Sequence, residues 1–302
     1  MLAPGDIAFI GINADDPDAF SFITLTTISA GTVIYFTDNG WKSDNTFRNT
    51  EGIITWTSPA TDILPGTIIF IELNNGWKTS KGTVSGSSGF SLSASGDQIL
   101  AYQEVSGITF LTAIQFNDTS WETDATSSNT SKLPNGLTNS QNAVALGNKD
   151  NAIYSGRMEI LDNDPVKKFN SSHNWYKNDT YRLAISPVDF PYIVWQGNTD
   201  NGWNTATNWI SGLVPDNGLH VYIPTGKNPL ITSVTQANCK KITIEPLATL
   251  TLKSDANGTG TLITDDSNGS GTFNIERYLP SINWHLIASP VTTESTFNLA
   301  SR

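Results

Sequence analysis

The densest collection of hard oxygen donors in this chain lies at 12–20, where "INADDPDAF" places Asn13, Asp15, Asp16 and Asp18 in one short loop. Carboxylate and amide oxygens at such spacing are what Ca²⁺ coordinates, and Pro17 stiffens the loop that carries them. The pattern is not that of an EF-hand, which needs a glycine at its sixth position and a distal glutamate. Asn and Asp are also ordinary turn formers, so a Ca²⁺ site and a plain turn both fit the residues. A second acidic turn, "LDNDP" at 161–165, allows the same two readings.

Three segments share a spelling: "FTDNGWKS" (36–43), "ELNNGWKT" (72–79) and "NTDNGWNT" (198–205). Asn-Gly tolerates the positive φ angles of a type I′ hairpin, so Asn39-Gly40, Asn75-Gly76 and Asn201-Gly202 read as structural turns. A Trp beside such a turn either stacks on a sugar ring or packs over the loop. Trp41 and Trp77 fall in the same half of the chain and are the candidates for a shared ligand surface. Trp203 and Trp209 flank "NTATN" and read as anchors of the second half.

Familiar catalytic signatures are missing from the sequence. His173, His220 and His285 form neither an HExxH nor a His-x-His pair. There is no GxSxG elbow, P-loop or dinucleotide fingerprint. Cys239 stands alone, so no intrachain disulfide can form, and its setting suits a small buried residue. A glycosidase needs only two carboxylates set apart in space, and 28 acidic residues leave room for such a pair.

The elements that must position these residues are strands. Only 15% of residues are charged, so polarity rests on Ser, Thr and Asn, which suit strand faces and turns better than helix surfaces. Short alternating or β-branched runs at 6–12, 19–25, 32–38, 52–57, 67–73, 98–103 and 109–116 predict an antiparallel sandwich. The polar stretch from 118 to 182 holds one apolar run, Ala143 to Leu146, and a short helical turn at 149–154. It is expected to wrap and cap the sandwich. Pro187 and Pro191 mark a boundary between domains at 1–190 and 191–302. Beyond it, runs at 220–224, 240–246, 248–254, 260–266 and 271–278 recur every eight to twelve residues, the rhythm of a β-helix or a small sandwich. A further strand begins at Trp284–Ala288, so the chain reads as a piece of something longer.

The net charge of −11 and the lack of a basic cluster exclude nucleic acid as a partner. No apolar run is long enough for a transmembrane helix, and no signal peptide opens the chain. Residues 5–41 and 120–156 resemble a module of unassigned activity in secreted Bacteroidetes and cyanobacterial proteins. The strand order around "GIITWTSPATDILPGTIIFIE" is distantly similar to lamin-tail-type immunoglobulin-like sandwiches. Residues 193–224, "IVWQGNTDNGWNTATNWISGLVPDNGLHVYIP", resemble a recurrent segment of Bacteroidetes surface proteins, many of which end in a type IX secretion sorting domain.

These resemblances imply an extracellular or outer-membrane surface setting and no reaction. The expected fold is all-β: an immunoglobulin-like sandwich followed by a small second β domain. The expected role is a non-catalytic binding or structural module of a surface protein, such as an adhesin, stalk or accessory domain, with a glycan or another surface protein as partner. A carbohydrate-active enzyme or carbohydrate-binding module with a hidden carboxylate pair is the first alternative. The second is a Ca²⁺-stabilised or filament-forming subunit that self-associates through strand edges.

Overall fold

The structure is a computed structural model describing residues 1–86, 89–158 and 164–280. The strand expected at Trp284–Ala288, and Leu161, Asp162 and Asn163 of the second acidic turn, lie outside the described residues. The chain is all-β. Its first part contains strands β1 (Ile7–Asn13), β2 (Ala19–Thr24), β3 (Val33–Thr37), β4 (Ile53–Thr57), β5 (Ile68–Leu73), β6 (Trp77–Thr79), β7 (Thr83–Gly86), β8 (Gln98–Glu104), β9 (Ile108–Gln115), β10 (Ala143–Ala145), β11 (Asn151–Tyr154) and β12 (Trp175–Asn178), with one short helix, α1 (Pro165–Phe169).

Two six-stranded sheets form the sandwich, ordered β12-β11-β1-β2-β5-β6 and β10-β9-β8-β3-β4-β7. All pairings are antiparallel except β9 with β10. Alternation along β2 explains the packing. Phe20 and Phe22 turn inward, where they meet Phe36 at 5.0 and 5.2 Å between ring centroids, while Ser21 turns outward. The register of β1 shifts between Phe9 and Gly11, so Phe9 and Ile12, paired with Phe22 and Phe20, both face inward. The helical turn expected at 149–154 is instead β11. Asn151 pairs with Asn13 on one side and Asn178 on the other, and this sheet pairing overrides the local turn propensity.

Each sheet is covered on its outer face as well. Over the second sheet, the polar stretch after β9 folds back as a third layer. Leu133, Leu137 and Trp121 close over Tyr35, Leu100, Tyr102, Phe110 and Trp41, while the later parts of the stretch expected to cap the sandwich supply its strands β10, β11 and β12. Gly40 makes the close approach possible: a Cβ there would lie 2.1 Å from the Thr130 carbonyl oxygen. Gly40→Ala should therefore lift the cover and cost about 1–3 kcal/mol. A lowered urea midpoint with faster proteolysis within 118–142 would show it, and an unchanged digestion pattern would refute it.

Over the first sheet runs a strap, residues 181–190. Asn13 binds it like a strand edge, donating from Nδ2 to the Leu183 carbonyl and accepting at Oδ1 from the Leu183 N–H, both at 2.9 Å. Ser21 Oγ donates to the Ile185 carbonyl. Ile185 lies over Gly11, where a Cβ would come within 2.8 Å of it.

The strap leads directly into strands β13 (Tyr192–Val194), β14 (His220–Ile223), β15 (Leu230–Ile231), β16 (Gln236–Asn238), β17 (Lys241–Ile244), β18 (Thr249–Leu252), β19 (Ser254–Asp255), β20 (Gly258–Thr259), β21 (Thr261–Ile263), β22 (Asp266–Asn268) and β23 (Thr272–Ile275). Three parallel sheets, β13-β14-β17-β22, β15-β18-β23 and β16-β21, share this segment, with β19-β20 as a side hairpin. His220 pairs with Lys241, 21 residues on, and Lys241 with Asp266, 25 on. Thr249 pairs with Thr272, 23 on. The second part is thus a three-sided parallel β-solenoid, the β-helix option of the two expected, and each coil spends three strands. Ile223, Ile231, Ala237, Ile242, Ile244, Leu250 and Cys239 fill its interior, and burial pushes the Cys239 thiol up to about 11.

Candidate binding groove at the junction of sandwich and solenoid

The loop with Asn13, Asp15, Asp16 and Asp18 does not gather its oxygens around one point. Asn13 is consumed by the strap. Asp15 accepts from Asn151 Nδ2 at 2.8 Å, Asp16 is exposed, and Asp18 is buried and accepts from the Leu92 N–H at 2.8 Å. Arg182 of the strap donates Nη1 to the carbonyls of Asp15 and Pro17 and Nη2 to Glu72 at 3.2 Å. A guanidinium thus takes the carbonyl oxygens that a cation would seek. Among the described residues, no group of three or more His, Cys, Asp or Glu side chains is arranged to hold a metal ion.

Trp41 and Trp77 do not share a surface. Trp41 is buried in the cover of the second sheet, edge-on to Phe47 and Phe110 at 4.9 Å each. Trp77 sits in the first sheet, edge-on to Phe90 at 5.4 Å. Of the two readings open for these residues, the structure has both packing against aromatic neighbours.

Nor do the three Asn-Gly pairs play one role. Asn75 and Gly76 have φ of 54° and 105° and close the β5–β6 hairpin, as expected. Asn39, Gly40, Asn201 and Gly202 stay out of the positive-φ region. Asn39 is instead a buried connector, accepting from the Thr50 and Glu51 N–H groups and donating to the Gly52 carbonyl. The Gly202 N–H donates to Asp200 in a local turn, and the Asn201 carbonyl accepts from Leu230.

A carboxylate cluster of which the sequence marked only Asp18 lies beside the sandwich core. Asp38, Asp18 and Asp97 accept in turn from the N–H groups of Ser91, Leu92 and Ser93, each at 2.8 Å. Three aspartates from three loops thus clamp consecutive peptide units. Burial holds all three carboxyls above their usual range, Asp38 to about 6. Glu51 follows, pushed up to about 8 by burial and by the charge of Asp38.

The groove with ligand-binding dimensions lies elsewhere. It has a volume of about 600 Å³ and runs between the β11–β12 side of the sandwich and the first coil of the solenoid. Lys149, Tyr176 and Lys177 form one wall, and Gln196, Thr225 and Lys227 the other, with Trp175 and Trp195 beneath. None of the clustered carboxylates reaches it; a second depression of about 490 Å³ around Tyr35 and Gln103 opens elsewhere.

Both walls are fixed. The Val194 N–H donates to Ser155 Oγ at 3.0 Å and the Gly156 N–H to the Tyr192 carbonyl at 2.7 Å. Tyr222 of the solenoid packs on Tyr176 and Tyr192 at 5.6 and 6.0 Å. The sandwich core itself continues into Tyr192, Val194, Ile210 and Tyr222. The expected boundary near Pro187 and Pro191 is thus a packed junction.

Beneath the groove, a cage closes the first coil. Trp209 stands edge-on to both Trp195 and Trp203, at 4.8 and 4.9 Å, and its Nε1 donates to the Trp203 carbonyl at 2.8 Å. Asn208 Oδ1 accepts from Thr199 and Asp200 N–H groups, while Nδ2 donates to Asp200 and Gly202. Residues 194–285 match a domain of unknown function, DUF8693. No curated protein and no solved structure matches the chain. The three lysines at 149, 177 and 227 carry no motif, and only the fold brings them together.

Proposed function

We propose that this chain is a non-catalytic, extracellular binding module of a larger bacterial surface protein, and that it holds its ligand in the groove between sandwich and solenoid. The observation that carries this reading is the shared core: the two walls of the groove cannot drift apart without breaking buried contacts. A site that is already formed loses little ordering entropy when its ligand arrives. The extracellular setting rests on the resemblance of 5–41, 120–156 and 193–224 to exported modules.

A glycan array with a parallel turnover assay tests the proposal. The expected result is binding without hydrolysis, reduced tenfold or more (about 1.4 kcal/mol) by Asn198→Trp, which places a large ring at the exposed rim of the groove. Polysaccharide hydrolysis abolished by Glu51→Gln would replace this reading with that of a glycosidase acting through the buried carboxylates.

A further inference from the structure

Every lining residue of the groove that carries charge is a lysine: Lys149, Lys177 and Lys227 contribute, and no aspartate or glutamate does. That is unexpected in a chain with 28 acidic against 17 basic residues. Several cations elsewhere are matched, as in Lys42 with Asp44, Arg182 with Glu72 and Lys253 with Glu276. In the groove only Lys149 is matched, by Asp179. Lys177 Nζ donates to the Leu146 carbonyl at 2.8 Å and Lys227 Nζ to the Gln196 carbonyl at 2.6 Å. Among the described residues neither faces a carboxylate. Each is anchored by one hydrogen bond, and an ammonium has two further protons to donate.

We infer that the groove takes an acidic saccharide, a short run of sugars bearing carboxylate or sulfate groups, with Lys177 and Lys227 as its anion contacts. This rests on the reading of the groove as the binding place. Two partly buried cations without counter-charges are favourable contacts for an anion that enters the groove. Burial and the neighbouring charge of Lys149 already hold the Lys177 ammonium below its usual range, in keeping with an unmatched site. Around these cations the rim carries exposed Asn148, Asn198 and Thr225, amide and hydroxyl groups of the kind that bond to sugar hydroxyls. A nucleic acid fits poorly: its many phosphates would extend beyond three lysines onto a surface of net charge −11.

The test is calorimetric titration of the whole chain with an oligouronate, its carboxyl-reduced neutral counterpart, a sulfated oligosaccharide and oligoglutamate. Binding of the uronate or the sulfated probe, weakened by added salt, supports the inference, and the stronger of the two names the anion. Lys177→Gln with Lys227→Gln should weaken that binding roughly tenfold or more. If the double variant misfolds, loss of affinity on carboxyl reduction and the salt dependence decide on the wild type alone. Equal binding of the neutral counterpart, with loss in Asn198→Trp, would overturn the charge assignment while leaving the groove as the binding place. Binding of oligoglutamate alone would overturn the saccharide assignment. Binding of no probe, neutral or charged, would overturn both.

Discussion

Acidification from about pH 8.5 to about pH 6.5 should stabilise this protein, contrary to the usual behaviour of paired carboxylates. Glu51 titrates at about 8 in the folded chain, and Asp97 lies well above its usual range. In the unfolded chain both ionise near their ordinary values of about 4. Between those limits the folded state binds more protons than the unfolded one, so stability grows as pH falls and is lost as pH rises through the folded values. Asp38, fully buried and titrating at about 6, adds its share between about 6 and 4, on the order of 2–3 kcal/mol when complete. Glu51 is only half-buried and contributes less than its displacement suggests.

His220 of the solenoid works in the opposite direction. Its Nδ1 lies 3.2 Å from the Asp189 carbonyl, its Nε2 lies 2.9 Å from Thr243 Oγ1, and its ring stacks on Tyr192. Burial lowers it to about 4. Below its unfolded value of about 6.5 the unfolded chain takes the extra proton, and that stability is lost as pH falls. Urea midpoints across a pH series should therefore climb from about 8.5 to 6.5 and climb less steeply below, where His220 offsets part of the carboxyl contribution. Glu51→Gln should flatten the upper limb, and His220→Gln should steepen the lower one. Midpoints that fall steadily from 8.5 to 6.5 would rule out the carboxylate account.

The second large effect belongs to Trp209→Ala, which should cost about 3–5 kcal/mol. The ring is fully buried between two other indoles, so its loss leaves a cavity, orphans the Trp203 carbonyl and opens the end of the solenoid. Near-UV circular dichroism should lose the part of its tryptophan signal that comes from the cage, with little change in the far-UV spectrum, and the urea midpoint should fall. A loss below about 1 kcal/mol would mean that the cage does not hold the first coil.

Strand identity was legible because alternation records which side of a strand faces the core, as Phe20-Ser21-Phe22 does. What lies beyond the outer face was not: nothing near Ser21 announces Ile185. Local turn chemistry misled where a distant partner decided the outcome. Asn39-Gly40 spells a hairpin, yet Asn39 joins peptide units around 50–52 and Gly40 makes way for Thr130. The stretch 149–154 reads as a helical turn until β1 and β12 claim it as β11. In the solenoid, strand spacing was visible, but the 21- to 25-residue registry was not, because the coils share geometry and little sequence. The acidic loop at 13–18 drew attention by composition, while the groove lysines come from segments that are remote in sequence and unremarkable alone.

The strap also determines how the molecule bears load. A pull along the solenoid enters the sandwich through residues 181–190, which lie flat across β1 and β2 and are held by Asn13, Ser21 and Arg182. Beside them, the Val194 N–H on Ser155 and the Gly156 N–H on the Tyr192 carbonyl tie the first solenoid strand to the sandwich, so tension is shared among several attachments. The junction therefore transmits tension as a stiff coupling, and a ligand held beside it would be carried at a constant angle to the direction of pull.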